Sequence, residues 1–255
     1  MIGLRRGAHA RISVCMLACV ALLAVPATAA VAQGAPDYAA IVAAPDRSDA
    51  DREIDKRRDP VQLLAFTGVG TGMKVLDMGA GGGYSSELMA RAVGASGVVY
   101  AHNAADLSAR AKERFEARMK TPAMTNVVAL VRPFDDPLPT DVRDLDLVTF
   151  FFFYHDTTYM EVDRAKMNRK LYAALKPGGM LVIADHSARP GDGATVGKTF
   201  HRIEEAVLRG EVEAAGFRLI AEGNFLRHPE DARNFSVNRP TGPVDEFVLK
   251  FRKPN

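Results

Sequence analysis

The sequence predicts an α/β fold in which a parallel sheet is covered by helices on both faces, and three observations predict it. From Lys74 onward, short apolar runs alternate with helical patterns. One run, Leu145 to Phe153, is so continuously apolar that both of its faces must be covered. A glycine-rich turn, Gly79-Ala80-Gly81-Gly82-Gly83, directly follows the first run. Doubly wound sheets bind ligands at such a place, beyond the carboxyl ends of their strands.

Residues 1–32 are set apart as an expected signal peptide. Arg5, Arg6 and Arg11 form a positive start, Ile12 to Val25 is apolar, and Ala30-Val31-Ala32 offers small residues for cleavage before Gln33. The apolar run is shorter than the ~20 residues of a spanning helix and Pro26 breaks it, so stable membrane insertion is not expected. The expected location is periplasmic or secreted. Both cysteines, Cys15 and Cys19, fall in this segment, so the rest of the chain has no thiolate nucleophile and no Cys-based metal site. The chain is formally +2, and removing three arginines and no acid leaves −1, which gives no electrostatic case for nucleic acid or a membrane surface. The remaining length suits one domain: an N-terminal lead and helix over 33–66, then the main domain over 67–255.

Gly34 to Ser48, rich in Ala, Pro and Asp, reads as a loose lead, and Ala50 to Phe66 as helical, interrupted by Pro60. Lys74 to Met78 is the first strand; Tyr84 to Val93 is a helix with Leu88, Met89 and Ala92 on one face, stopped by Gly94. Gly97 to Ala101 is the second strand, Ala104 to Met119 an amphipathic helix, Asn126 to Val131 the third strand and Leu145 to Phe153 the fourth. Thr158 and Glu161 have capping-box spacing and predict a helix through Met160, Met167, Leu171 and Leu175, ended by Lys176-Pro177-Gly178-Gly179. Met180 to Ala184 is the fifth strand. Val196, Phe200, Ile203 and Val207 trace one helical face, and Phe217 to Glu222 and Phe247 to Phe251 are the last two strands.

The turn after the first strand carries the chemistry. Glycines let the backbone approach a ligand closely, and Asp77 at the strand end can accept hydrogen bonds or pair with an ammonium group. A dinucleotide dehydrogenase would need Gly-x-Gly-x-x-Gly. Counted from Gly79 the last position is Tyr84, counted from Gly81 it is Ser86, and His102-Asn103 after the second strand supplies no acid.

An acid followed by Gly-x-Gly-x-Gly resembles motif I of class I S-adenosylmethionine-dependent methyltransferases. Leu145-Asp146-Leu147-Val148, Leu175-Lys176-Pro177-Gly178-Gly179 and Gly216-Phe217 look like that family's fourth strand, post-helix turn and start of the late strands. The order Tyr154-His155-Asp156, Asp185-His186-Ser187 and His201-Arg202-Ile203, behind an export leader, is similar to a secreted or periplasmic group of predicted bacterial methyltransferases. The resemblance implies a Rossmann-like doubly wound sheet, mostly parallel with an antiparallel last strand. It also implies S-adenosyl-L-methionine as cofactor and a small-molecule acceptor. Carried over by position, it implies that Asp77, Gly79, Gly81 and Gly83, with Tyr84 beside them, hold the amino acid part of the cofactor. Asn103 stands where the family has Asp or Glu on the ribose hydroxyls; an amide can bond a diol but adds no charge. Asp135 or Asp136 would lie near the adenine amino group.

Methyl transfer from a sulfonium is an in-line displacement, so the enzyme aligns the acceptor and, where needed, takes a proton. The carboxyl ends of the fourth and fifth strands carry Tyr154-His155-Asp156 and Asp185-His186-Ser187, and His201 opens the next element, so three of the six histidines share one rim. The expectation is that His155 or His186 is the general base, that Asp156 or Asp185 orients it, and that His201 helps place the acceptor. Ala184-Asp185-His186 with Pro190-Gly191 also resembles the metal segment of catechol-type O-methyltransferases. Phe151 stands at their first acid, so a magnesium-type oxygen site lacks a ligand, and metal-free base catalysis is expected. Imidazoles from His155, His186 and His201 would suit a softer metal such as zinc or copper. The rival class is an exported binding protein that kept the fold without catalysis, suggested by Asn103 and by a cofactor made in the cytoplasm.

Overall fold

Apolar runs rich in Val, Leu and Phe become strands in this chain, and the amphipathic stretches between them become helices. The computed structural model describes residues 1–3 and 35–255. The chain divides into Met1–Ala32 and Gln33–Asn255, and the expected signal peptide lies outside the described residues apart from its first three. Within the second unit three helices come first: α1 (Tyr38–Val42), α2 (Asp49–Arg58) and α3 (Pro60–Thr67). There follow β1 (Lys74–Met78), α4 (Tyr84–Val93), β2 (Val98–Asn103), α5 (Ala109–Arg118), β3 (Val127–Val131) and β4 (Leu145–Phe151). The remainder is α6 (Arg164–Ala174), β5 (Leu175–His186), α7 (Gly197–Phe200), α8 (Glu205–Ala214), β6 (Arg218–Gly223) and β7 (Glu246–Arg252).

The strands form one sheet in the order β3-β2-β1-β4-β5-β7-β6. All pairings are parallel except those of β7, which runs antiparallel to both β5 and β6. Successive strand residues face opposite sides, and both sides are apolar. Val75, Val99, Leu147, Val182 and Val248 pack with Leu63, Leu64, Leu88, Met89 and Val93 on one face. Leu76, Val148, Phe150, Leu181, Ile183, Leu249 and Phe251 pack with Met167, Leu171, Leu208 and Val212 on the other. Strand order reverses between β1 and β4, which sets their carboxyl ends at the switch point. Close packing of β2 on α4 depends on Gly97, where a Cβ would stand 2.5 Å from the Val93 Cβ and 2.7 Å from the Met73 carbonyl.

Five local expectations are corrected. The lead is not loose throughout: Asp37 caps α1 by accepting from Ala40 N, and the Tyr38 hydroxyl donates to the Val69 carbonyl at 2.7 Å. The fourth strand ends at Phe151 because Phe152 takes a left-handed φ of 57°. Thr158 does not open the next helix; it lies at the end of a short 3-10 helix (Tyr154–Thr158) with its hydroxyl donating to the His155 carbonyl, while Asp163 caps α6. The face drawn from Val196 to Val207 belongs to two helices, since His201 adopts φ 54°, ψ 50° and ends α7. Lys176 to Gly179, expected as a turn, lies within the long β5, whose pairing with β4 is irregular between Leu145 and Leu147.

Candidate active site

β1 delivers Asp77 to the switch point and the chain then bends through positive φ at Gly79 (63°) and Gly81 (56°), a region side chains with a Cβ rarely adopt. The Asp77 carboxylate is buried and accepts hydrogen bonds from the hydroxyls of Ser85 (2.8 Å), Ser86 (2.6 Å) and Thr149 (2.9 Å). Burial raises its pKa, against the lowering effect of those hydroxyls. The Phe153 ring lies over Gly79, 3.2 Å from where a Cβ would stand, so the glycine admits that ring as well as the bend. Gly83 precedes α4 at φ 82°, where a Cβ would stand 3.0 Å from the Arg118 side chain.

Asn103, expected near the ribose, has its Oδ1 accepting from Gly81 N at 2.8 Å and its Nδ2 donating to Gly81 O at 3.2 Å, so both ends of the amide hold the glycine bend in shape. Asp135 pairs with Lys166 at 3.0 Å, and Asp136 with Arg132 at 2.5 Å and Lys170 at 3.1 Å. A cavity of about 530 Å³, lined by Asn103, Ala104, Leu107, Phe115, Leu130 and Val131 among others, lies beside the ends of β2 and β3. Neither aspartate lines it. The Tyr84 hydroxyl donates to Asp55 at 2.6 Å, and burial followed by that carboxylate raises its pKa.

One residue not anticipated from sequence stands next to the bend. Arg58, the last residue of α2, lays its guanidinium 4.5 Å from the Phe152 ring centre and 5.3 Å from that of Tyr84. Its stem is half-buried, but Nε is fully enclosed and has no hydrogen-bond partner among the described residues. Burial lowers its pKa to about 10, with neighbouring Arg57 adding to the effect, so it stays charged at neutral pH. An enclosed guanidinium nitrogen without an acceptor favours an anion beside it. The carboxylate of S-adenosylmethionine supplies one, and with Asp77 and the open backbone at Gly81 the residues fit the amino acid end of that cofactor.

The histidine rim does converge. The rings of His155 and His186 are 5.4 Å apart and those of His155 and His201 5.5 Å. His155 Nδ1 lies 2.6 Å from Asp185 Oδ1, and His155 Nε2 lies 3.0 Å from Asp156 Oδ1. His201 Nδ1 meets the same Asp156 oxygen at 3.0 Å. The fully buried Asp185 also accepts from the backbone N–H groups of His155 and His186, both at 2.8 Å. Burial would lower the pKa of His155, but Asp185 and Asp156 outweigh it and raise it to about 10. Burial raises Asp156, yet hydrogen bonding and charge from His155 bring it to about 2. Flanked in this way by Asp185 and Asp156, His155 is favoured in its charged form.

His186 differs. Its ring stacks on Phe152 at 5.2 Å, and burial lowers its pKa well below the usual histidine value. Nδ1 is 2.9 Å from Glu246 Oε1, close enough for an ion pair by distance, but the angles do not make a hydrogen bond, and the nitrogen has no partner among the described residues.

Burial raises the Glu246 carboxyl to about 7 despite Arg57 at 3.3 Å. A carboxyl whose folded pKa exceeds its unfolded one favours the fold only while protonated, so its destabilising contribution grows as pH rises from about 4.5 to about 7 and is complete above that. Glu246→Gln is expected to stabilise the protein by on the order of 2 kcal/mol at pH 8 and to have little effect near pH 4.5, measured as urea midpoints at the two pH values.

The methyltransferase domain family matches residues 75–179. The ubiquinone/menaquinone biosynthesis C-methyltransferase of Cronobacter sakazakii is 28% identical over 170 residues, 64% of this chain and 63% of that protein. A second protein of that name, from Idiomarina loihiensis, is 31% identical over 48% of this chain and 45% of its own length. The chain thus spans less than two thirds of these curated relatives. Among solved structures, a SAM-dependent methyltransferase from Aquifex aeolicus aligns with a TM-score of 0.58 at 20% identity, covering 81% of this chain and 100% of that one. An arsenic(III) S-adenosylmethionine methyltransferase from Chlamydomonas reinhardtii aligns with a TM-score of 0.53 at 18% identity, covering 88% and 75%. At these identities the structural likeness establishes the fold.

Proposed function

We propose that this chain, whose residues 75–179 match a methyltransferase domain family, is a class I S-adenosylmethionine-dependent enzyme that methylates a small-molecule acceptor at the rim formed by β4 and β5. The observation that carries the proposal is Arg58, a half-buried residue whose enclosed Nε has no partner among the described residues, beside the glycine bend. When bound, S-adenosylmethionine supplies an electrophilic methyl group on a sulfonium. Arg58 holds the cofactor's carboxylate, and Asp77 provides the negative charge that suits its ammonium group. His186, whose Nδ1 has no hydrogen-bond partner among the described residues, takes the proton that the acceptor loses beside the ring of Phe152. The names of the curated relatives support an electron-rich ring carbon as the first acceptor class to test, and a carbon acceptor must lose a proton after methylation.

S-adenosylmethionine is expected to raise the melting temperature, since a ligand that binds only the native state stabilises it. Labelled methyl is expected to pass to a member of a panel of phenols and hydroquinones. His186→Ala should abolish that turnover and keep the cofactor-induced shift. A wild-type protein with no shift, or a variant with undiminished turnover, rejects the reading.

We further propose that the mature chain works outside the cytoplasm, on the composition of Arg5 to Val25 alone. A fusion of residues 1–40 to a reporter active only after export should be active in bacterial cells, and a silent fusion rejects export.

A further inference from the structure

We propose that His155, Asp156 and His201 form a binding site for a transition-metal dication, zinc in the first instance. The inference does not rest on methyl transfer. The three side chains each offer one donor atom, and those atoms all lie within 4.8 Å of one another. Metal–ligand bonds of ~2.1 Å at tetrahedral angles place donors ~3.4 Å apart. Asp156 Oδ1 stands 3.0 Å from both His155 Nε2 and His201 Nδ1, so a few tenths of an ångström of widening admits an ion.

The support behind these donors is what separates the cluster from an ordinary ion pair. A metal-bound imidazole needs its other nitrogen held by an acceptor, which fixes the tautomer and strengthens the donor. Asp185 does this for His155 at Nδ1, and two backbone N–H groups fix Asp185 in turn. Nε2 is therefore aimed at Asp156 and His201. The Tyr159 hydroxyl donates to the same Asp156 Oδ1 at 2.6 Å and fixes the orientation of that carboxylate.

Two features of the chain bring His201 into place. Gly197 lies so close to the 3-10 helix that a Cβ there would meet the Thr158 Oγ1 at 2.1 Å, which seats α7 directly on the His155 segment. The left-handed turn at His201 then ends α7 and swings the imidazole, perpendicular to that of His155, toward Asp156. His155 is enclosed, with a side chain 3% exposed, whereas Asp156 and His201 are 16% and 24% exposed. The site is closed on the protein side and open on the solvent side, an arrangement that leaves room for a fourth ligand.

Two imidazoles and one carboxylate suit zinc or a neighbouring late first-row metal better than magnesium, which prefers oxygen donors. On binding, the cation takes the place of the proton at His155 Nε2, which passes to solvent.

The test uses chelator-treated protein titrated with cobalt(II), read by its visible ligand-field absorption, and with zinc in competition with a chromophoric chelator. One ion per chain is expected. Asparagine tolerates the left-handed backbone, so His201→Asn should fold and bind more than roughly 100-fold more weakly, as should Asp156→Asn. Asp185→Asn, which weakens the support behind His155 without removing a donor atom, is expected to weaken binding by about 10–100-fold. Circular dichroism confirms that each variant is folded. Uptake well below one ion per chain in the wild type, or uptake unchanged in a folded His201→Asn, overturns the proposal and leaves an imidazolium bridging two carboxylates.

Discussion

Arg58→Met is expected to raise the melting temperature of the ligand-free protein by a few degrees and to weaken S-adenosylmethionine binding by ~30-fold or more. The opposed signs follow from one fact, a cation whose enclosed Nε lacks an acceptor. Leaving such a group in place costs the fold about 1–3 kcal/mol, and methionine fills the same slot between Phe152 and Tyr84 without that cost. Once a carboxylate is bound, the same cation becomes half of a buried charge pair, whose loss costs about 2–5 kcal/mol of affinity. Thermal melts with and without cofactor measure both effects. If stability and affinity fall together, Arg58 is a structural residue.

Asp231→Ala is expected to be the most destabilising single change. Arg202 is fully buried, with Nη1 2.8 Å from Asp231 and 2.9 Å from the Ser187 carbonyl, and its guanidinium lies 4.9 Å from the centre of the Phe235 ring. Both partners' side chains are 0% exposed, so removing the carboxylate strands a charge in the interior at about 3–5 kcal/mol. Asp231 also accepts from Arg233 N and Asp245 N, which holds the loop before β7 together. For a domain of this length the loss corresponds to roughly 6–20 °C in Tm. Removing both charges, as Arg202→Met with Asp231→Leu, should recover much of it, and scanning calorimetry of the wild type and the two variants would check the ordering.

The strands were legible because continuous or alternating apolar runs have few other fates in a chain of this length. Val127–Val131 and Glu246–Arg252 lie within a residue or so of the runs that predicted them. The glycine bend was legible for the same local reason, since Asp77 and its glycines are adjacent in sequence. What misled was local pattern without tertiary context. Thr158 and Glu161 have the spacing of a cap, but the Thr158 hydroxyl bonds back to His155. Val196 to Val207 keep helical spacing through a residue that turns left-handed. Asn103 and Gly81 are 22 residues apart, and nothing local says that the amide turns inward to the bend. Arg58 follows another arginine in a charged helix, and only the packing of Tyr84 and Phe152 around it marks it as different.

The place of β7 in the sheet bears on how the protein must assemble. It lies between β5 and β6 and supplies hydrogen bonds to both, although it comes after them along the chain. A nascent polypeptide that has emerged only as far as residue 245 therefore has an unpaired edge on β5 and an isolated β6. The Glu246 backbone N–H, bonded to the Leu226 carbonyl, and the rim above β5 also wait for that segment. Maturation of the histidine edge is thus a late event, and it keeps the chain from closing while it is still being made.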